Sequence, residues 1–414
     1  MTRLNSVLLN PRIGVGADLA AWRKAGGGEG LARALERPED IIPTLRAADL
    51  RGMGGAGFPT WRKWTATADA PGDEKYVVCN GNEDEPGTFK DCYLLHRTPH
   101  QVIEGALIAA AAVRAATVVF YINPHQTDGI EAMRRAVAQW AGDSQIAALE
   151  RLIGQPMRLT VTPSSGRYIG GEESAVVRWL NGSFPFPRRK PPFPFEQGVN
   201  DKPTLINNTE TLSNISHILK NGADWYRDLG IGGASGTKLF SLSGDVLEPG
   251  LYELPMGTSL QELIFTHGGG MLGGRAFKAV FTGGPSNTLL TARDLDVALD
   301  FDSVRARQSR LGTGAMIVIS EGTSVVRKVA EYVEFFANGS CGQCPPCKCG
   351  TFQMSRLLDR IATGRGTEAD RRALRHLCQI LPGSGRCALI DGAVTVVQSS
   401  LQTFPEEYAA PASR

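Results

Sequence analysis

The chain has no long uninterrupted apolar run, only six histidines and almost no net charge, and each shortage removes a class of function. The longest apolar stretch, VIEGALIAAAAVRAATVVFYI from Val102, is broken by Glu104 and Arg114 and changes period midway. That pattern suits a buried helix followed by a strand and argues against direct membrane insertion. With 44 Lys plus Arg against 42 Asp plus Glu, the formal charge of +2 offers no electrostatic footprint for nucleic acid or an anionic membrane. The histidines are scattered, none beside a serine or cysteine pattern of nucleophilic catalysis, and they are assigned no chemistry. The opening MTRLNSVLLNPRIGVG lacks an apolar core of secretory length followed by a cleavage site, so mature cytoplasmic sequence is expected. Neither an internal repeat nor a low-complexity tail is present. What remains, 42% hydrophobic and 21% charged in 414 residues, is globular material sufficient for two or three domains.

The periodicities set the expected order of elements. Short helices fill the first 50 residues and end in an amphipathic helix, PEDIIPTLRAADL, that runs into the glycine-rich RGMGGAGF. From residue 75 the pattern alternates: YVVCN as strand, PHQVIEGALIAAAAVRA as helix, TVVFYIN as strand, GIEAMRRAVAQW as helix and MRLTVTP as strand. Strands separated by helices of this length predict a parallel, helix-covered sheet of α/β class. A helix over GRYIGGEESAVVRWLNG, an extended proline-rich loop, FPFPRRKPPFPFEQG, and a helix from about Thr209 come next. Residues 240–320 read as a small α+β domain, with strands KLFSLSG, FKAVFTGG and AMIVIS and a helix SLQELIFTHG; residues 321–414 read as helical. Residues 1–239 make the first unit.

Eight cysteines in a long cytoplasmic-looking chain are not expected to form disulfides. Cys79 and Cys92 stand alone and read as buried small hydrophobes. The other six lie between Cys341 and Cys387. Cys341, Cys344 and Cys347 are spaced C-x2-C-x2-C, which lets three thiolates turn inward onto neighbouring corners of an iron-sulfur cube. Cys349 follows Cys347 too closely to reach a further iron of the same cluster, so a distant cysteine should complete the set, and Cys378 and Cys387 compete. Structural zinc instead takes two separated C-x2-C pairs.

RGMGGAGFPTWRKW matches the letters of the dinucleotide fingerprint through Gly52, Gly54 and Gly57, but helical periodicity precedes it and Pro59 interrupts it, so a standard Rossmann turn is rejected. Its glycines still suit close approach of backbone N–H groups to a phosphate or flat ring, with Lys63 and Arg51 supplying positive charge. VVCNGNEDEPGTFKD places Asn80, Asn82, Glu83, Asp84 and Glu85 past the carboxyl end of a strand. GRYIGGEES does the same for Tyr168, Gly171, Glu172 and Glu173 after another, so two strand ends converge on one crevice. The two glutamates also suit a helix N-terminus. Carboxylates in a nucleotide crevice accept hydrogen bonds from ribose and repel a 2'-phosphate, so NADH is expected over NADPH. Asn207 and Asn208 are either a helix cap or amides touching a cofactor ring.

In this order, RGMGGAGFPTWRKW, VVCNGNEDEPGTFKD, GRYIGGEESA, KPPFP, LINNTETL, SCGQCPPCKCGT and CALIDGA closely resemble the NADH-binding flavoprotein subunit of respiratory complex I and the diaphorase subunits of NAD-linked hydrogenases and formate dehydrogenases. The resemblance runs from about residue 10 to the end. It implies a Rossmann-like FMN- and NADH-binding domain, a ubiquitin-like (β-grasp) domain and a C-terminal helical bundle bearing a 4Fe-4S cluster. It implies FMN held by Gly52, Gly54, Lys63, Asn80, Asn82, Tyr168, Gly171, Glu172, Asn207 and Asn208, with Gly55, Gly57, Glu83 and Thr209 in the same cofactor-binding set. NAD(H) would stack near Phe58, Glu85, Glu173 and Phe193. Cys341, Cys344, Cys347 and Cys387 would carry the cluster, Cys387 being preferred because CALIDGA matches the family's last ligand segment. The implied activity is hydride transfer from NADH to FMN, then single electrons to the cluster and on to iron-sulfur partner subunits, including a 2Fe-2S subunit. The protein would then be cytoplasmic, or peripheral on the inner membrane face through those partners.

Three departures bear on affinity. Met53 stands where the family often has arginine, Asn82 where it usually has aspartate, and Ala66 replaces an aromatic that commonly helps sandwich the adenine. Cys349 takes a position that is usually acidic. The rival readings are NAD+ reduction by a hydrogenase or formate dehydrogenase partner, a relay subunit that no longer binds NADH, and a zinc-stabilised module for single-stranded nucleic acid.

Overall fold

The structure, a computed structural model, describes residues 6–409. Strands β1 (Tyr76–Gly81), β2 (Thr117–Ile122), β3 (Arg158–Pro163) and β4 (Thr204–Asn208) form a parallel sheet in the order β3-β2-β1-β4. Chain order runs outward from β1 to β3 and then returns to the other side of β1. The β1/β4 boundary is therefore the topological switch point, outside whose carboxyl ends open α/β sheets leave a crevice. Asn80 and Asn208 are register partners there. β4 was not expected from the sequence: TLINN is five residues long and ends in two asparagines, which strands usually exclude, but burial and pairing to β1 override that preference.

The helix Pro99–Val113 is enclosed over almost its whole length and ends at Arg114 in the left-handed conformation, φ 58°. It lies against the helix Thr209–Asn221 so closely that a Cβ on Gly105 would sit 1.9 Å from the Leu212 carbonyl oxygen, and only glycine permits that approach. The expected amphipathic helix before the glycine loop is shorter, a 3-10 turn Pro38–Asp40 joined to Ile41–Ala47. Likewise, the helix expected over GRYIGGEESAVVRWLNG splits into a 3-10 turn Tyr168–Gly171 and a helix Glu173–Leu180.

A second, mixed sheet contains β5 (Thr237–Gly244), β6 (Gly250–Pro255), β7 (Phe277–Thr282), β8 (Leu290–Thr291) and β9 (Ala315–Ser320), in the order β6-β5-β9-β7-β8. Because β5 begins at Thr237, the boundary expected after residue 239 falls inside a strand. SLQELIFTHG forms only a six-residue π-helical segment, Glu262–His267. Four helices follow: Val325–Gly339, Pro345–Ala362, Glu368–Ile380 and Leu389–Thr403. They share a core of Val333, Phe336, Met354, Leu358, Ile390 and Val397. Among the described residues no helix is long and apolar enough to cross a membrane.

A buried ionic network ties the two sheets together. Glu210, at the start of the Thr209–Asn221 helix, accepts from Lys238 Nζ at 2.6 Å and from the backbone N–H of Leu239 at 2.9 Å, and lies 3.0 Å from Lys90 Nζ. All three charged side chains are almost completely buried. Burial pushes Lys238 down to about 8, because its one carboxylate partner is shared with Lys90. Burial acts on Lys90 as well, but Asp91, Glu210 and Glu83 outweigh it and raise the ammonium above its ordinary value.

Candidate functional site

Two cavities of about 540 and 680 Å³ share Gly54, Asn80, Gly171, Glu172 and Asn208, so they form one crevice over the β1/β4 switch point. Each is of the size that encloses a cofactor-sized ligand. The helices that follow β1, β3 and β4 begin around this crevice, and helix N-termini attract phosphate. Their caps come from the sequence motifs. Glu83 accepts from the backbone N–H groups of Lys90, Asp91 and Cys92 at 2.9, 2.8 and 3.0 Å. Glu172 accepts from Ser174 and Ala175 at 2.8 and 3.1 Å, and Asn208 accepts from Glu210 at 3.0 Å. The capping reading of Glu172 and Asn208 therefore holds while both still line the crevice.

The glycine loop is closed by hydrogen bonds from Gly52 N to the Phe58 carbonyl and from Thr60 N to the Leu50 carbonyl, both 2.9 Å. Gly52 and Gly54 face the crevice, and a Cβ on Gly54 would stand 3.0 Å from Asn208 Cβ. Gly57, at φ 62°, rests against the Phe301 ring, Gly55 bridges to Gly312, and Thr209 is fully buried; these three stand behind the wall. Arg51 supplies no charge to the crevice, because both its terminal nitrogens bind Asp302, at 3.1 and 2.7 Å. Met53 points into the core and donates its N–H to Thr211 at 2.8 Å. Lys63 is the cation that remains on the loop's own helix wall, its Nζ 3.3 Å from Glu173 and 3.1 Å from the Ile206 carbonyl.

Asn80 donates to the Gly171 carbonyl at 2.9 Å, and Asn82 donates to Asp84 at 3.1 Å and accepts from Ser164. Asn207 accepts from Trp64 Nε1 at 2.9 Å. Burial pushes Glu173 upward, but Lys63 and Lys190 outweigh it and hold the carboxyl below its ordinary range. Phe58 and Phe193 line the wider cavity and are 48% and 40% exposed, surface available for stacking.

Glu85 behaves differently. Burial pushes it up to about 7, against hydrogen bonds from Tyr168 and Ser286. Tyr168 donates to Oε2 at 2.7 Å, whereas the buried Oε1 has no partner. The folded chain binds this proton more tightly than the unfolded chain, whose value is 4.5, so the carboxyl costs stability as pH rises through about 7. Glu85→Gln should therefore raise the stability of the cofactor-free chain by roughly 2 kcal/mol at pH 8 and by almost nothing at pH 4, compared by urea unfolding.

The same tyrosine connects the crevice to the helical bundle, its ring set edge-on to Phe335 and Phe336 at 5.1 and 5.9 Å. A third cavity, lined by Cys341, Cys344, Cys347 and Cys387, shares Ile169, Cys387 and Leu389 with the crevice. Only that thin wall separates the two. Among the described residues no three such ligands are gathered tightly enough for a single ion, which fits the corners of a cube better than tetrahedral zinc. Cys347 and Cys349 lie on the Pro345–Ala362 helix two positions apart, hence on different faces, and Cys349 is exposed. Cys378 is buried against the neighbouring helix, where Gln398 donates to its carbonyl at 2.8 Å, and does not line the cavity. Cys79 is an inert buried thiol, pushed up to about 12 by desolvation.

Sequence reasoning missed the far wall. Ser286, Asn287, Gln308, Arg310, Asp391 and Thr395 reach the crevice from beyond the parallel sheet, and no local pattern marks them. It also missed Lys190, which pairs with Glu172 at 3.2 Å and Glu173 at 3.5 Å.

Comparison with known proteins agrees with this geometry. Residues 45–217 match the Nuo51 FMN-binding domain, 239–287 the SLBB domain and 327–411 the NADH-ubiquinone oxidoreductase-F iron-sulfur binding region. The second F-type flavoprotein of the NADH-quinone oxidoreductases of Rhizobium meliloti is 40% identical over 98% of this chain and 96% of its own. The HndC component of the NADP-reducing hydrogenase of Solidesulfovibrio fructosivorans is 38% identical over 93% of this chain and 78% of its own. The crystal structure of an air-oxidised NAD+-reducing [NiFe]-hydrogenase superposes with a TM-score of 0.84 at 32% identity, over 96% of this chain and 69% of that one. A glycine-walled nucleotide crevice, a four-cysteine cavity one residue layer away, and likeness over nearly the whole length have one explanation: the chain belongs to the family of F-type flavoproteins of NADH-quinone oxidoreductase, which combine an FMN-binding domain with a 4Fe-4S region.

Proposed function

We propose that this chain takes electrons from NADH and passes them through its own cluster to an iron-sulfur partner, a 2Fe-2S subunit among them, in a multisubunit oxidoreductase. The observation that carries the proposal is the shared wall of Ile169, Cys387 and Leu389 between crevice and cysteine cavity. The residues fit the two groups. Gly52 and Gly54 leave room for a flat ring, Lys63, Asn80, Asn82, Tyr168, Gly171, Glu172, Asn207 and Asn208 surround it, and the unpartnered Glu85 Oε1 awaits a donor. Cys341, Cys344, Cys347 and Cys387 would hold the cluster. FMN in the crevice supplies conversion of a two-electron donor into single electrons, and the cluster supplies the one-electron exit.

The protein's part is positional. Glu83, Glu172 and Asn208 keep three helix N-termini aimed at the crevice, and Tyr168 holds the Glu85 carboxyl while packing on the bundle. Lys63 and Lys190 keep Glu173 ionised beside the nucleotide cavity, where it can accept from ribose hydroxyls. Three divisions are proposed: a Rossmann-like unit to about residue 239, a ubiquitin-like β-grasp unit to 320, and the cluster bundle to 414. The assembly would be cytoplasmic or peripheral on the inner membrane face. Likeness to HndC and to the NAD+-reducing hydrogenase favours a second reading, in which electrons run the other way and NAD+ is reduced.

Anaerobically purified chain loaded with both groups should bleach on adding NADH and turn over ferricyanide, with NADPH much poorer. Loaded protein whose spectrum ignores NADH would refute the proposal.

A further inference from the structure

The nucleotide end of the crevice lacks a ring where the resemblance expects one. Ala66 lines the wider cavity, one helical turn beyond Arg62 on the helix Thr60–Asp69, and offers a stacking base nothing but a methyl group. The proline-rich loop brings a different surface to the same cavity. Phe193 and Phe195 lie with their planes 5° apart and their centroids 5.3 Å from one another, and both line the cavity. The loop that presents them is pinned. Thr204 N donates to the Pro194 carbonyl at 2.9 Å, Glu196 N to the Phe193 carbonyl at 2.9 Å, and Phe193 N to the Glu196 carboxylate at 2.7 Å. The rings are therefore held in place before any ligand arrives, which lowers the ordering cost of binding.

Arg62 also lines the cavity and makes no ion pair among the described residues; its guanidinium lies over the Trp61 ring at 5.4 Å. A planar cation on the helix face that carries Ala66 can cover a base whose other side rests on aromatic rings.

We infer that this chain holds the adenine of its dinucleotide on a two-ring shelf of Phe193 and Phe195, with Phe195 supplying the aromatic surface that position 66 lacks and Arg62 covering the space beside Ala66. The inference rests on the reading of NADH as electron donor and adds residues that determine its affinity. Phe195 acts only on the adenosine half, far from the nicotinamide chemistry.

The test uses ADP-ribose, which carries the adenosine and pyrophosphate but no nicotinamide, titrated calorimetrically into FMN-loaded protein. Phe195→Ala should bind it about tenfold more weakly, since loss of one base-stacking ring has that order of effect. Arg62→Ala should weaken it several-fold, and Phe195→Tyr, which keeps the ring, should match the wild type. The KM for reduced nicotinamide mononucleotide, which has no adenine, should not move in any of them. Wild-type affinity in Phe195→Ala would overturn the shelf, as would an equal loss toward the mononucleotide, which would signal general damage. Wild-type reduction by NADH without ADP-ribose binding removes the shelf and leaves the oxidoreductase reading intact, whereas no reduction by NADH removes both.

Discussion

Replacing Cys387 with serine should strip the chain of its cluster, while replacing Cys378 with serine should leave iron and sulfide at wild-type content. The two cysteines are nine positions apart and both are shielded from water, so burial does not separate them. Orientation does: Cys387 faces the cavity that Cys341, Cys344 and Cys347 line, and Cys378 packs inside the bundle. A serine hydroxyl is a poor substitute for thiolate on iron, and three remaining ligands hold a cluster weakly. The expected loss in Cys387→Ser is nearly complete, read by iron analysis and by the brown absorption of the anaerobic protein. FMN binding should survive, because the flavin contacts proposed above come from the parallel-sheet side. Equal iron in both variants would contradict the ligand set. Cys349→Ser, on the exposed face of the same helix, should also keep the cluster.

The second large effect belongs to Glu210, a residue with no expected role in binding electrons or nucleotide. Glu210→Ala should cost about 3–5 kcal/mol, because it leaves the ammonium groups of Lys90 and Lys238 buried without their shared partner. Domains of ordinary stability hold only about 5–15 kcal/mol in reserve, so the variant should unfold at markedly lower denaturant or fail to accumulate. Glu210 also accepts the backbone N–H of Leu239 at the start of β5, so the damage should extend to the joint between the two sheets. Glu368, whose partners Arg371 and Arg375 lie at the surface, is the control: its replacement should barely move the midpoint. A Glu210→Ala midpoint equal to that of the control would show that the lysines find other compensation.

These two expectations differ in how far the sequence announces them. The C-x2-C-x2-C spacing is a local property, and three of the four ligands could be named from it because adjacent turns of a loop have little freedom to place them elsewhere. The fourth could not, since Cys378 and Cys387 are equally distant in chain terms; the choice came from the matching segment CALIDGA, and the proposed cavity wall supports it. Glu210 is legible in neither way. In LINNTETL it reads as an ordinary first-turn acid, and its meaning depends on lysines 120 residues earlier and 28 later.

The nucleotide crevice divides along the same line. The sequence by itself determined that a parallel α/β sheet exists, that Asn80 and Asn82 follow its first strand, that a glycine loop approaches a flat or phosphorylated ligand, and that no membrane span or basic surface competes. Those are consequences of period, turn chemistry and charge, which act over a few residues. The tertiary structure alone decided that TLINN is a strand beside β1, because the hydrogen bonds that outweigh its poor strand preference belong to a partner 128 residues away. It also decided that Arg51 is consumed by Asp302 and that Lys190 is brought onto Glu173. Likewise, it closed the far wall with Ser286, Arg310 and Asp391. Burial and long-range pairing decide which of two chemically similar groups is free, and neither is a property of a stretch of chain read alone.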